Sequence, residues 1–116
     1  MTVDQLKHWL STTDASITYV GEPINALTPR DALLTTVVYC NTRVGNICGG
    51  ACTTYTGLEV CLPAPTTACI SATRNVLYCT SSDCSGAGRC QSLNACTTRL
   101  SNGFCATPGT RSIRVL

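Results

Sequence analysis

Charge and histidine are both scarce in this chain. Asp, Glu, Lys and Arg make up only 12 % of its 116 residues, and His8 is the only histidine. That scarcity removes the usual general base of Ser-His-Asp and Cys-His catalysis. A lone imidazole four positions after Asp4 on a predicted helix reads as a surface group. Glycoside hydrolysis needs two carboxylates flanking the scissile bond. The acids Asp4, Asp14, Glu22, Asp31, Glu59 and Asp83 are scattered along the chain instead. No enzyme and no cofactor is expected. The net charge of +2 forms no basic stripe of the kind that grips phosphates, so nucleic acid is not an expected partner. Long apolar runs are missing too. The longest, Val37-Val38-Tyr39-Cys40, falls far short of the ~20 residues that cross a bilayer, and no membrane span is expected. No Asn is followed two residues on by Ser or Thr, so the chain needs no N-glycan of its own.

What is abundant is cysteine. Ten of them, Cys40, Cys48, Cys52, Cys61, Cys69, Cys79, Cys84, Cys90, Cys96 and Cys105, follow a stretch of 39 residues that has none. Zinc fits poorly, because the run Cys79-x4-Cys84-x5-Cys90-x5-Cys96 lacks a close Cys-x2-Cys pair and His8 is remote. Thioredoxin-type redox chemistry needs the same missing pair. An even cysteine count in a short chain points to disulfides, hence to an oxidising compartment and a secreted, extracellular protein. The segment "MTVDQLKHWL" carries charges where a leader would be apolar, so the expectation is a leader already removed and Met1 added. Ten cysteines permit ~945 full pairings, which leaves connectivity open.

The chain reads as one domain, residues 1–116, with a cysteine-free helix-strand-helix part (1–39) and a cysteine-rich part (40–116). Thr2 and Gln5 form a capping box, and Val3, Leu6, Trp9 and Leu10 fall on one helical face. "ASITYVG" is a fair strand ending at Gly21. A second helix starts at Thr28 with Pro29 and Asp31 behind it. "TTVVYC" turns to β-formers. Further strands are expected at 53–55, 58–62, 75–79 and in "SIRVL", with a tight turn at Asn102-Gly103 and loops at Gly49-Gly50 and Pro63-Ala64-Pro65. The predicted class is α+β, with helices flanking an antiparallel sheet.

A surface so rich in Thr, Ser and Asn suits neutral polar ligands, sugars among them. A sugar site takes one aromatic face and a few fixed polar groups. Trp9, Tyr39 and Phe104 are expected in the core; Tyr55 in "CTTYTG", beside a turn, is the aromatic candidate. On loops that disulfides would order at low entropic cost, Arg74, Asn75, Asp83, Arg89 and Asn94 complete the expected site.

The stretches "YCNTRVGNICGGACTTYTG", "TACISATRNVLYC" and "CSGAGRCQSLNACTTRLSNGFCATPGTRSI" cover about two thirds of the chain. Through "GNICGG", "NVLYC", the spaced Cys84, Cys90 and Cys96, and "LSNGFCATPGT", it resembles a group of small secreted cysteine-rich proteins of mushroom-forming fungi. The resemblance implies an αβα sandwich and a homodimer sharing one continuous sheet. It also implies lectin-like binding of N-acetylgalactosamine-containing glycans, fucosylated N-acetylgalactosamine-β1,4-N-acetylglucosamine ends included, in fungal defence or recognition. It assigns no sugar-binding residue. The alternative from another class is a secreted toxin or inhibitor acting on a protein target.

Overall fold

The structure is a computed structural model that describes residues 2–21, 34–84 and 89–116. Helix α1 (Val3–Thr12) begins as the capping box requires: the Gln5 amide donates to Thr2 Oγ1 at 3.1 Å, and the Thr2 amide donates to Gln5 Oε1 at 2.9 Å. Leu6 and Trp9 are buried, Leu10 is half-buried and Val3 is exposed, so the apolar stripe is narrower than expected.

Seven strands follow: β1 (Ser16–Gly21), β2 (Thr35–Val44), β3 (Ile47–Gly57), β4 (Val60–Ala72), β5 (Val76–Cys79), β6 (Cys90–Ser92) and β7 (Cys105–Val115). They form one sheet in the order β1-β3-β2-β4-β7-β5-β6. Every pairing is antiparallel except β1 with β3, which is parallel. β2 lies in the interior of the sheet and is apolar on both faces, as "TTVVYC" suits. Val38 and Cys40 join Leu6, Trp9 and Phe104 on the helix side, while Val37 joins Ile70, Ile113 and Val115 on the other.

Two irregularities shape the sheet. Gly50 and Ala51 together oppose Asn41, and Gly50 has a φ of 83°, where an added Cβ would strike Thr42 Oγ1. In β4, Pro63 ends one paired stretch with β7, Val60–Pro63 against Ser112–Val115. A second resumes at Thr67, after Thr66 takes a φ of 59°. Proline has no N–H to give to a ladder, and here it sits where the ladder is broken. Both sites were expected as loops and are bulged strand instead.

The architecture therefore corrects the expected class. It is a mostly β domain with an open sheet, not an αβα sandwich of flanking helices, and α1 is the only α-helix among the described residues. The face opposite α1 is closed by the sheet's own side chains with Leu93 and Cys96 from the β6–β7 connection. The helix start expected at Thr28 lies outside the described residues. Elsewhere the expected turn is present: Asn102, at φ 62°, and Gly103 bend the chain so that Phe104 meets Trp9 at 5.0 Å between ring centroids.

Candidate ligand-binding cleft

The ten cysteines form five disulfides: Cys40–Cys52, Cys48–Cys69, Cys61–Cys84, Cys79–Cys90 and Cys96–Cys105. The stretch "CTSSDCSGAGRC" is thus a doubly stapled loop. Its ends are joined by Cys79–Cys90, and its middle is tied by Cys84 to Cys61 on β4. Ser112 on β7 also holds it, accepting from the Cys84 amide at 2.9 Å and donating to the Ser81 carbonyl.

Cys79 and Cys90 are direct partners in the β5–β6 ladder, so the positions flanking them share the opposite face of that ribbon. Tyr78 and Thr80 from one strand, with Arg89 and Gln91 from the other, meet Ala106, Thr107, Pro108 and Thr110 around a cleft of about 190 Å³. Tyr78 Oη donates to Gln91 Oε1 at 3.0 Å, and the Thr80 amide donates to the Arg89 carbonyl at 3.0 Å. Thr110 Oγ1 donates to the Thr107 carbonyl at 2.7 Å. Thr107 itself is only 1 % exposed, and its Oγ1 has no hydrogen-bond partner among the described residues. A buried hydroxyl left unpaired costs ~1–3 kcal/mol. Among the described residues, Arg89 is the one charged residue lining the cleft.

Of the six expected site residues, Arg89 alone lines this cleft. Asn75 and Asn94 are brought together for a structural purpose: Asn75 Oδ1 accepts from Ser92 Oγ and from the Asn94 amide, both at 2.9 Å, and so shapes the turn after β6. The Asn94 carbonyl accepts from Arg99 at 2.9 Å. Tyr55, on β3, packs half-buried against the core and donates to the Leu58 carbonyl at 3.0 Å. Arg74 and Asp83 are exposed, each already engaged in an interaction, and neither lines the cleft. Missing from the expected site were Tyr78, Gln91 and Thr107. Only the pairing of Cys79 with Cys90 reveals that Tyr78 and Gln91 face each other.

Burial raises the Tyr39 phenol above its ordinary 10.0, with a hydrogen bond to Thr53 opposing, and burial likewise raises Tyr55. The unfolded chain therefore releases these protons first. The stability they contribute is whole below the ordinary tyrosine value and is lost as pH rises through the folded values. The melting temperature should fall as pH climbs from about 9 to about 11, and fall less steeply in Tyr39→Phe. A flat profile over that window would contradict this.

Comparisons with protein families, curated proteins and solved structures gave no result that extends this description: no family model, no curated protein and no solved structure matches the chain.

Proposed function

We propose that the chain is a secreted lectin that binds N-acetylgalactosamine-containing complex glycans in the cleft between β5, β6 and β7, without turnover. The observation that carries this reading is the cleft itself. It has the half-buried ring of Tyr78 for the C–H face of a sugar, with Thr80, Gln91 and Arg89 around it, on a ribbon ordered in advance by Cys79–Cys90. Its volume lies below the ~300–1,000 Å³ of pockets that engulf drug-sized ligands, which suits one sugar ring of a larger glycan. The resemblance to fungal cysteine-rich proteins, and within them to the glycan-binding protein of the shaggy ink-cap mushroom, supports the same class, with fucosylated N-acetylgalactosamine-β1,4-N-acetylglucosamine ends as ligands and defence or recognition as the role. A homodimer through a shared sheet belongs to the same proposal. Among the described residues nothing pairs with the outer edge of β1, where Tyr19 and Val20 are exposed.

A glycan array with the oxidised protein, followed by solution titration of the best ligand, tests the reading. Selective binding to N-acetylgalactosamine-containing structures is expected, and Tyr78→Ala should weaken it about tenfold. A blank array from folded protein would refute it.

One observation favours the second reading, a toxin or inhibitor of a protein target. Val44 and Ile47 close the β2–β3 hairpin and are 72 % and 58 % exposed, an apolar tip unlike the polar cleft. Competing free glycan should abolish the activity of a lectin and leave that of an inhibitor unchanged.

A further inference from the structure

The cleft carries one fixed positive charge, on Arg89, among its described lining residues. Gln91 Oε1 accepts from the Tyr78 hydroxyl, which leaves the Gln91 side chain two N–H donors and one acceptor lone pair. Arg89 adds up to five N–H donors and a fixed positive charge, and among the described residues no aspartate or glutamate lines the cleft to neutralise it.

A neutral sugar hydroxyl can accept from Arg89 but carries no charge to complement it. A sulfate ester or a carboxylate presents acceptor oxygens only and carries the opposite charge. Hydrogen bonds to such a group are shorter and roughly twice as strong as neutral ones. We propose that the cleft reads an anionic oxygen group carried on the sugar, with Arg89 as the residue that meets it and Gln91 as the second donor. This deepens the lectin reading and rests on it.

The test uses the intact oxidised protein and three matched glycans: an N-acetylgalactosamine-terminated oligosaccharide, the same with a sulfate ester on that sugar, and the same extended by a sialic acid. At least one acidic form should bind about tenfold tighter than the neutral parent, the factor that one charge-assisted hydrogen bond confers. Preference for the sulfated or the sialylated arm identifies which source of the anion is read. The acid-to-neutral ratio should shrink as salt is raised from about 50 mM to about 500 mM. It should drop to about one in Arg89→Gln and below one in Gln91→Glu, which keeps an acceptor for Tyr78 but puts a carboxylate where the donor was. A wild-type ratio of one or less, with the neutral glycan still bound, overturns the proposal and leaves the lectin reading standing. A ratio that survives both substitutions also overturns it. Failure of all three glycans to bind overturns both.

Discussion

Trp9→Ala should cost about 3–5 kcal/mol of folding stability and detach helix α1 from the sheet. The reasoning begins with how little holds that helix. Ten residues are too few to stay helical in water by themselves, and the capping box adds only about 1 kcal/mol. Docking must therefore come from the two buried side chains, Leu6 and Trp9, of which Trp9 is the larger. Its ring lies against Phe104 and beside Val38, Cys40 and Cys69 of the sheet. Truncation empties that space, and the Cys40–Cys52 and Cys48–Cys69 bridges, packed in the same cluster, hold the surrounding backbone from collapsing into it. Calorimetry is the suitable readout, because Trp9 is also the sole tryptophan fluorophore. Helical signal in far-UV circular dichroism should fall before the main transition. Val3→Ala, at a position 47 % exposed, should change stability by less than about 0.5 kcal/mol. A loss below about 1 kcal/mol in Trp9→Ala, with the helical signal intact, would show that something other than the tryptophan docks α1.

The same helix shows which parts of the fold were legible in the sequence. Its cap and its two buried positions are local facts, separated by three residues, and both were readable. So was the end of β1, where Gly21 takes a φ of 85° and a Cβ would collide with the Thr56 carbonyl of β3. What was not readable is non-local. Gly49-Gly50 and Pro63–Pro65 carry the chemistry of loops, yet long strands continue through them as bulges because the residues before and after each break pair with the same neighbouring strand. Reading those breaks as strand ends gave strands that are too short, while the flanking helices rested on start signals at Thr2 and Thr28 and on the resemblance, of which the described residues contain only the helix at Thr2. The insertion of β7 between β4 and β5 is fixed by pairings 33 residues or more apart, with no local signal.

The site follows the same division. Arg89 was chosen because it sits in a polar, cysteine-bounded loop, and the structure places it in the lining of the cleft. Asn75 and Asn94 were chosen for amides that point outward, and the structure spends the Asn75 carbonyl oxygen on backbone and hydroxyl donors of the neighbouring turn. Tyr78 was visible only as one aromatic among several. Its position over the cleft depends on Cys79–Cys90, a bridge present in only about 105 of the ~945 full pairings.

That disulfide carries the second large effect. Replacing both Cys79 and Cys90 by alanine should cost about 3 kcal/mol and abolish glycan binding, while the rest of the fold persists on four remaining bridges. β6 makes only three ladder pairs with β5, and Cys79–Cys90 is the terminal one, next to the cleft. Without it, Arg89 and Gln91 are held by two remaining ladder pairs, by the Thr80 amide on the Arg89 carbonyl and by the Asn75 turn, and these non-covalent ties let them shift against Tyr78 and Thr80. The chain supplies its own control. Cys40–Cys52 also joins direct partners across an antiparallel pair, and its sequence separation of 12 nearly matches the 11 of Cys79–Cys90. Loop-closure entropy therefore predicts nearly the same stability loss for removing either bridge. Cys40 and Cys52, however, pack on the helix side of the sheet with Trp9 and Phe104 and line no part of the cleft. Binding should survive in the Cys40→Ala, Cys52→Ala variant and vanish in the Cys79→Ala, Cys90→Ala variant, at temperatures where both are folded. If the two lose binding alike, the loss reflects general loosening of the sheet and the ligand sits elsewhere. If only the Cys79–Cys90 variant loses it, the staple's function is to hold four side chains around one sugar.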